Sequence, residues 1–246
     1  MPSEKKVALV TGANRGIGFE TALQLGQKGI TVVVGARALH AAKDATTKLG
    51  SEGVQAYPLA LDVTNETDRK AAAAFLTEKF GKLDILINNA GIAGDGGLLN
   101  AHTIETTQSE LEAVFNTNLF SVIALTRELL PLLKKSEEGR IVNLSSILGS
   151  LTLQAMPNSP IAPMKAFAYN ASKTALNQFT VHLALELKGT NIKVNSAHPG
   201  CVKTQLGTQH AQLEIADGAR TSVELALVGP DGPSGKFIHN GNELPW

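Results

Sequence analysis

The chain has 246 residues, 43% of them hydrophobic and 18% charged, the composition of an ordinary soluble globular chain, which excludes disorder. Its 22 basic and 22 acidic residues cancel, so no net field draws it to nucleic acid or to an anionic membrane, and a small molecule is the expected partner. Cys201 is the only cysteine, which excludes an internal disulfide framework and a Cys-rich zinc site and suits a reducing compartment.

The opening Met1–Lys6 leads into only four apolar residues, Val7–Val10, too short for a signal-peptide core. No later apolar run approaches the roughly 20 residues that span a bilayer, so the expected location is cytoplasmic. Short Val-, Ile- and Leu-rich runs then alternate with stretches of helical period, the pattern of βα units around a buried parallel sheet. Strands are expected at Val7–Thr11, Thr31–Gly35, Val54–Leu61, Leu83–Ile87, Ile141–Leu144, Ile192–Ser196 and Gly235–Ile238. Helices are expected near Gly18–Lys28, Leu39–Leu49, Glu66–Phe80, Ser109–Leu133, Ala166–Lys188 and Leu213–Leu227. The fold class read from this order is α/β: one doubly wound parallel sheet of about seven strands with helices on both faces, and one domain over residues 1–246. Two segments depart from the rhythm: Gly-rich Gly91–His102, and Ser150–Lys165 with Pro157, Pro160 and Pro163. Both follow expected strands and so emerge at the carboxyl edge of the sheet, where such folds bind ligands.

Thr11-Gly12-Ala13-Asn14-Arg15-Gly16-Ile17-Gly18 directly follows the first strand and opens the first helix, the context that makes a glycine string a dinucleotide-binding candidate. Glycines let the backbone approach a pyrophosphate, and the N–H groups and dipole at the helix start attract its charge. An Asp or Glu normally ends the second strand when the ribose carries no 2′-phosphate. Here the chain reads Gly35-Ala36-Arg37, and the first acid is Asp44, inside the next helix. Arg37 and Arg15 are suited to grip a 2′-phosphate through charge-assisted hydrogen bonds, so the expected cofactor is NADPH/NADP+.

Tyr169 and Lys173 stand four apart on one helix face, where an ammonium beside a phenol favours the phenolate and brings its pKa toward the working range. Ser145 and Ser146 end the strand before, facing the same edge as the glycine turn, and a hydroxyl there can bond a carbonyl oxygen. Asn118 lies in a long helix and reads equally well as a buried amide satisfied by backbone. His40, His102, His182, His198, His210 and His239 show no H-x-H, H-x-x-x-H or HExxH pairing, so no metal is expected. Cys201, with nothing nearby in sequence to activate it, reads as a packing or substrate-lining residue.

Taken together, Thr11-Gly-x-x-x-Gly-x-Gly18, Asp62-Val63, Asn88-Asn-Ala-Gly91, Asn118, Ser146, Tyr169-x-x-x-Lys173 and Pro199-Gly-Cys-Val-Lys-Thr204 resemble, in order and rough spacing, the short-chain dehydrogenases/reductases. The resemblance covers most of the chain and implies a Rossmann-type fold. It implies that Ser146, Tyr169 and Lys173 form the catalytic core, with Tyr169 protonating a carbonyl oxygen, Ser146 polarising it and Lys173 also bonding the nicotinamide ribose. It further implies that Asn118 helps hold a proton-relay water, that Asp62 and Val63 meet the adenine, and that Asn89, Ala90 and Gly91 line the cofactor. Pro199 and Gly200 lead to Val202 and Thr204, which the family places at the carboxamide.

Ser146 and Tyr169 are 23 positions apart, a longer interval than many relatives have. The inserted Pro-punctuated segment, near 150–165, resembles that of NADPH-dependent carbonyl reductases and plant alkaloid ketone reductases. Its Leu151, Leu153, Met156, Ile161 and Met164 are expected to pack on the outer faces of the helices near Ser109–Leu133 and Ala166–Lys188, which favours a monomer over a homodimer or homotetramer. The reading that leads is an NADPH-dependent ketoreductase acting on a ketone or aldehyde. Its alternatives are an NAD-linked alcohol dehydrogenase and a dinucleotide-sensing binding protein without chemistry.

Overall fold

A computed structural model of the chain describes residues 5–94, 97–99, 103–204 and 211–246. Eight strands make one sheet in the order β3-β2-β1-β4-β5-β6-β7-β8. They are β1 (Val7–Thr11), β2 (Thr31–Ala36), β3 (Ala56–Ala60), β4 (Ile85–Asn88), β5 (Arg140–Leu144), β6 (Lys193–Ala197), β7 (Phe237–His239) and β8 (Asn242–Glu243). β1 to β7 are parallel, in the places the apolar runs predict. β8 was not expected. It runs antiparallel to β7 across Asn240-Gly241, whose φ angles of 46° and 75° are those of a tight two-residue hairpin.

The helices are α1 (Gly16–Gln27), α2 (Leu39–Ser51), α3 (Glu66–Phe80), α4 (Gln108–Phe115), α5 (Ser121–Leu133), α6 (Leu151–Ala155), α7 (Phe167–Glu186) and α8 (Ile215–Ala226). Strand alternation sends Ala8, Val10, Val32 and Val34 to one face, against Ala22 and Leu25 of α1, Leu49 of α2 and Val223 of α8. Leu9, Val33, Leu86 and Ile141 face the other way, against Leu76 of α3, Leu125 and Leu129 of α5 and Leu183 of α7. Each such buried Val, Leu or Ile side chain contributes about 1.5–3 kcal/mol. The sheet order reverses between β1 and β4, which opens a crevice at the carboxyl ends of these strands.

Two expectations are corrected. The single helix Ser109–Leu133 is interrupted by a π-helical turn, Asn116–Phe120, between α4 and α5, for a reason that belongs to the site. The inserted segment is not uniformly irregular. A 3₁₀ turn, Ile147–Gly149, leads into α6, which Ser150 caps by accepting from Leu153 N, and Thr152 N donates to Trp246 O at 2.9 Å. Tied to Trp246 in this way, α6 leaves Leu151 61% and Met156 48% exposed, and of the five apolar side chains expected to cover neighbouring helices only Ile161, at 6%, is buried.

Candidate active site

At the carboxyl end of β1 the chain turns sharply through Gly12 (φ 62°) and Gly16 (φ 57°), a backbone that β-carbon-bearing residues adopt at a cost. A Cβ on Gly18 would stand 2.4 Å from Asn89 Nδ2 and 2.6 Å from Gly12 O, so only glycine lets α1 start this close to the turn. The Arg15 side chain does not cap α1, and no acidic residue occupies its first turn, which leaves the leading N–H groups and the dipole to a ligand. This cradle fits the pyrophosphate of a dinucleotide.

Asn89 has a structural part in addition to the one its motif implies. Its Nδ2 donates to Thr11 O (2.7 Å) and Gly12 O (3.2 Å), while Asn89 N and Ala90 N both donate to Thr11 Oγ1 at 3.0 Å. The side chain braces the glycine turn, leaving the backbone of Ala90 and Gly91 to line the crevice. Asp62 likewise closes its own turn, its Oδ1 accepting from Thr64 N (2.9 Å) and Thr64 Oγ1 (2.7 Å), beside buried Val63.

Ala13 N donates to Gly35 O at 3.0 Å and ties the glycine turn to the end of β2. Arg37, just past β2, and Arg15, at the start of α1, are both exposed, and neither forms an ion pair among the described residues. Asp44 sits inside α2, exposed, so no carboxylate ends β2. Asn14 and Ile17 are half-buried in the turn itself. From the other side the segment Pro199–Thr204 closes in, and the Thr204 methyl lies 3.9 Å from where a Gly16 Cβ would be. Gly200 turns the chain at φ 86°, and Val202 buries its side chain and pairs with Leu213. Cys201 is exposed.

The two serines at the end of β5 differ in their partners. Ser145 Oγ donates to Asn177 Oδ1 at 2.6 Å inside the packing of α7, whereas Ser146 Oγ accepts from Leu148 N at 3.2 Å and acts on the Tyr169 phenol, opposing the effect of burial on its pKa. Tyr169 and Lys173 lie on successive turns at the start of α7. A buried polar seam holds that helix to the sheet: Asn88 Nδ2 donates to Asn143 Oδ1 (2.9 Å), Asn143 Nδ2 to Thr180 Oγ1 (2.9 Å) and Ser196 Oγ to Thr180 Oγ1 (2.8 Å).

Lys173 Nζ donates to Leu144 O at 2.7 Å and stands 5.5 Å from the Tyr169 ring centroid. Burial pushes the Tyr169 phenol up to about 12, with the Ser146 hydrogen bond acting in the opposite direction, and burial pushes Lys173 down to about 8. The expected lowering of the phenol by the ammonium is therefore corrected. Desolvation is the largest influence on the phenol, and Nζ is turned to a backbone carbonyl.

Asn118, 0% exposed, is the reason for the π-helical turn. Its Oδ1 accepts from Ile92 N (2.9 Å), and its Nδ2 donates to Ile92 O (2.8 Å) and to Ser172 Oγ (3.0 Å). A Cβ on Gly91 would lie 3.2 Å from Asn118 Oδ1 and 3.6 Å from Lys173 Nζ, so the chain just past β4, Asn118 and Lys173 meet at one point. Ser172 and His198 belong to the surroundings of this site and were not singled out as functional. Within the loops flanking it, residues 95, 96, 100–102 and 205–210, among them His102 and His210, lie outside the described residues. Among the described residues no helix is long and apolar enough to cross a membrane.

This constellation has known counterparts. The short-chain dehydrogenase family matches residues 6–214. The chain belongs to that family. As a short-chain dehydrogenase/reductase it is an oxidoreductase of a family that binds a nicotinamide dinucleotide. It is 36% identical over 247 residues to the short-chain dehydrogenase anuI of Penicillium roqueforti, covering 98% of this chain and 96% of that one. It is 32% identical over 287 residues to carbonyl reductase (NADPH) 1 of Mus musculus, covering 100% of both. The structure of NADPH-bound carbonyl reductase from chicken fatty liver superimposes with a TM-score of 0.85 at 28% identity, over 99% of this short-chain dehydrogenase/reductase and 100% of that chain. Salutaridine reductase from Papaver somniferum gives a TM-score of 0.80 at 30% identity, over 96% and 100%.

Proposed function

We propose that the chain is an NADPH-dependent reductase that converts a ketone or aldehyde to an alcohol. The observation that carries this reading is the convergence of Ser146, Tyr169, Lys173 and Asn118 beside a glycine cradle flanked by two exposed arginines and no acid. The relatives that are NADPH carbonyl reductases support it. Gly12, Asn14, Gly16, Ile17 and Gly18 would hold the pyrophosphate, Arg15 and Arg37 the 2′-phosphate, and Asp62 with Val63 the adenine. Ala90, Gly91 and the Pro199–Thr204 segment would border the nicotinamide half. Bound NADPH supplies the hydride to the carbonyl carbon.

The chain's own groups handle the proton. Tyr169, pushed up to about 12, is neutral at working pH and gives its phenolic proton to the carbonyl oxygen. Ser146, whose hydroxyl acts on that phenol, positions the same oxygen and polarises it. The resulting phenolate lies beside the Lys173 ammonium, whose depressed pKa of about 8 makes it a ready proton source. Asn118 Oδ1, close to Lys173 Nζ across Gly91, can seat a water that returns the proton from solvent.

The test is a panel of aldehydes and ketones followed at the NADPH absorbance band, with NADH in parallel. Turnover faster with NADPH is the expected result. Turnover faster with NADH favours an NAD-linked dehydrogenase, and tight NADPH binding without turnover of any carbonyl favours a binding protein; either overturns the proposal.

A further inference from the structure

Two histidines 41 positions apart meet behind Ser146. His198 follows β6 directly and His239 ends β7, and their rings lie 4.8 Å apart between centroids at 44°. His239 Nδ1 is 2.8 Å from His198 O, and a carbonyl only accepts, so Nδ1 carries the proton. Asn240 Nδ2 lies 3.2 Å from His239 Nε2, which therefore accepts. Asn240 in turn donates its N–H to Thr221 Oγ1 of α8 at 2.9 Å. This chain of bonds fixes the backbone of His198 from behind.

In front, Ile147 N donates to His198 Nδ1 at 3.3 Å, so His198 is the neutral tautomer protonated on Nε2. The ring is 8% exposed, and burial, with the His239 ring beside it, pushes its pKa down to about 3. His198 thus stays an acceptor at any pH at which the enzyme works. The amide it accepts from is the peptide joining Ser146 to Ile147, and no other acceptor meets that N–H among the described residues. That peptide plane sets ψ of Ser146, 148° here, and with it the relation of the serine side chain to the turn that follows.

We propose that His198 is a positioning residue for Ser146: by accepting the Ile147 N–H at Nδ1 it holds the peptide plane that aims Ser146 Oγ at the Tyr169 phenol and at the substrate oxygen. The proposal rests on the reductase reading for its effect on rate, and on geometry alone for the bond. Neither histidine belongs to the motifs that carry the family resemblance.

The test compares His198→Leu, which fills the space without an acceptor, with His198→Asn, whose Oδ1 stands near the place of Nδ1. Amide hydrogen exchange at Ile147 reads the bond directly. In His198→Leu its protection falls about tenfold or more, kcat for carbonyl reduction falls about ten- to a hundredfold, and the Kd for NADPH stays within about twofold. His198→Asn restores protection and brings kcat to within about threefold of the parent. Unchanged Ile147 exchange in His198→Leu overturns the proposal, as does a His198→Asn enzyme as slow as the leucine variant, which would mean that the ring acts by packing alone. His198→Ala replaces the leucine variant if that does not fold. Should the parent turn over no carbonyl, the reductase reading fails while the exchange comparison still decides whether His198 holds the Ser146 peptide.

Discussion

Tyr169 keeps its proton across the neutral range because burial outweighs its bond to Ser146, and that makes it a donor first and a base only after the reaction. Tyr169→Phe removes the proton and keeps the ring. Turnover should fall by about 100- to 10,000-fold, the span of general acid catalysis, with NADPH affinity by fluorescence titration close to the parent's. A rate within about threefold of the parent removes Tyr169 from the mechanism. Arg37 offers a second test at this scale. Exposed beyond β2 with no ion pair among the described residues, its guanidinium is available to a phosphate. Arg37→Asp should move the ratio of kcat/KM values from NADPH toward NADH, because a carboxylate repels the 2′-phosphate and can accept from a ribose hydroxyl. Raised salt should weaken NADPH more than NADH in the parent. A parent indifferent to the choice of cofactor would show that the arginine pair does no selecting.

Among the elements, the interrupted helix matters most to the site. The π-helical turn swings Asn118 inward to satisfy both the N–H and the C=O of Ile92. Asn118→Ala would leave those two groups without partners and should lower the unfolding free energy by about 1–3 kcal/mol in denaturant titration, along with activity. A loss under about 0.5 kcal/mol would mean the turn does not depend on this amide. The interruption was not legible in sequence, since its cause is a backbone segment 26 positions away. The central strands β1 and β2 were legible because they are buried on both faces and are dominated by apolar residues, as in Val7–Thr11. α3 matched its expected limits because local chemistry sets them, with Asn65 accepting from Asp68 N at one end and left-handed Gly81 at the other. β8 was also signalled locally, by Asn240-Gly241, a pair the alternation of apolar runs passes over. The glycine turn and the Tyr169/Lys173 pair were readable from spacing. In sequence the preference for Ser146 over Ser145 rests on family pattern alone, because Asn177, which accepts from Ser145, is 32 positions away, and the His198–His239 contact joins strands that only the sheet order brings together.

At the scale of the whole molecule, the site draws on the carboxyl ends of β1, β2, β4, β5 and β6, so its polar groups are buried only when these five strands are assembled. Lys173 carries the cost. Folded, it releases its proton at about 8, and unfolded at its ordinary 10.5. Between those values the unfolded chain binds more protons than the folded one, so the stability of the cofactor-free protein from this group rises with pH. It is fully present above 10.5 and lost as pH falls through 8. Below 8 the parent bears the whole penalty of a buried ammonium, which Lys173→Met never bears. The variant also gives up the bond to Leu144 O, a loss that does not vary with pH. The decisive quantity is therefore the slope of the difference. From pH 6 to 8 the unfolding free energies of variant and parent should keep a constant separation. From about 8 to 10 the parent should gain on the variant, in which Tyr169 is also present, by up to about 1.4 kcal/mol per pH unit. Urea titrations of both proteins across this range, each without NADPH, measure it. A separation that stays flat to pH 10 would mean that Lys173 is solvated in the free enzyme, and would take away its part as a proton source tuned by burial.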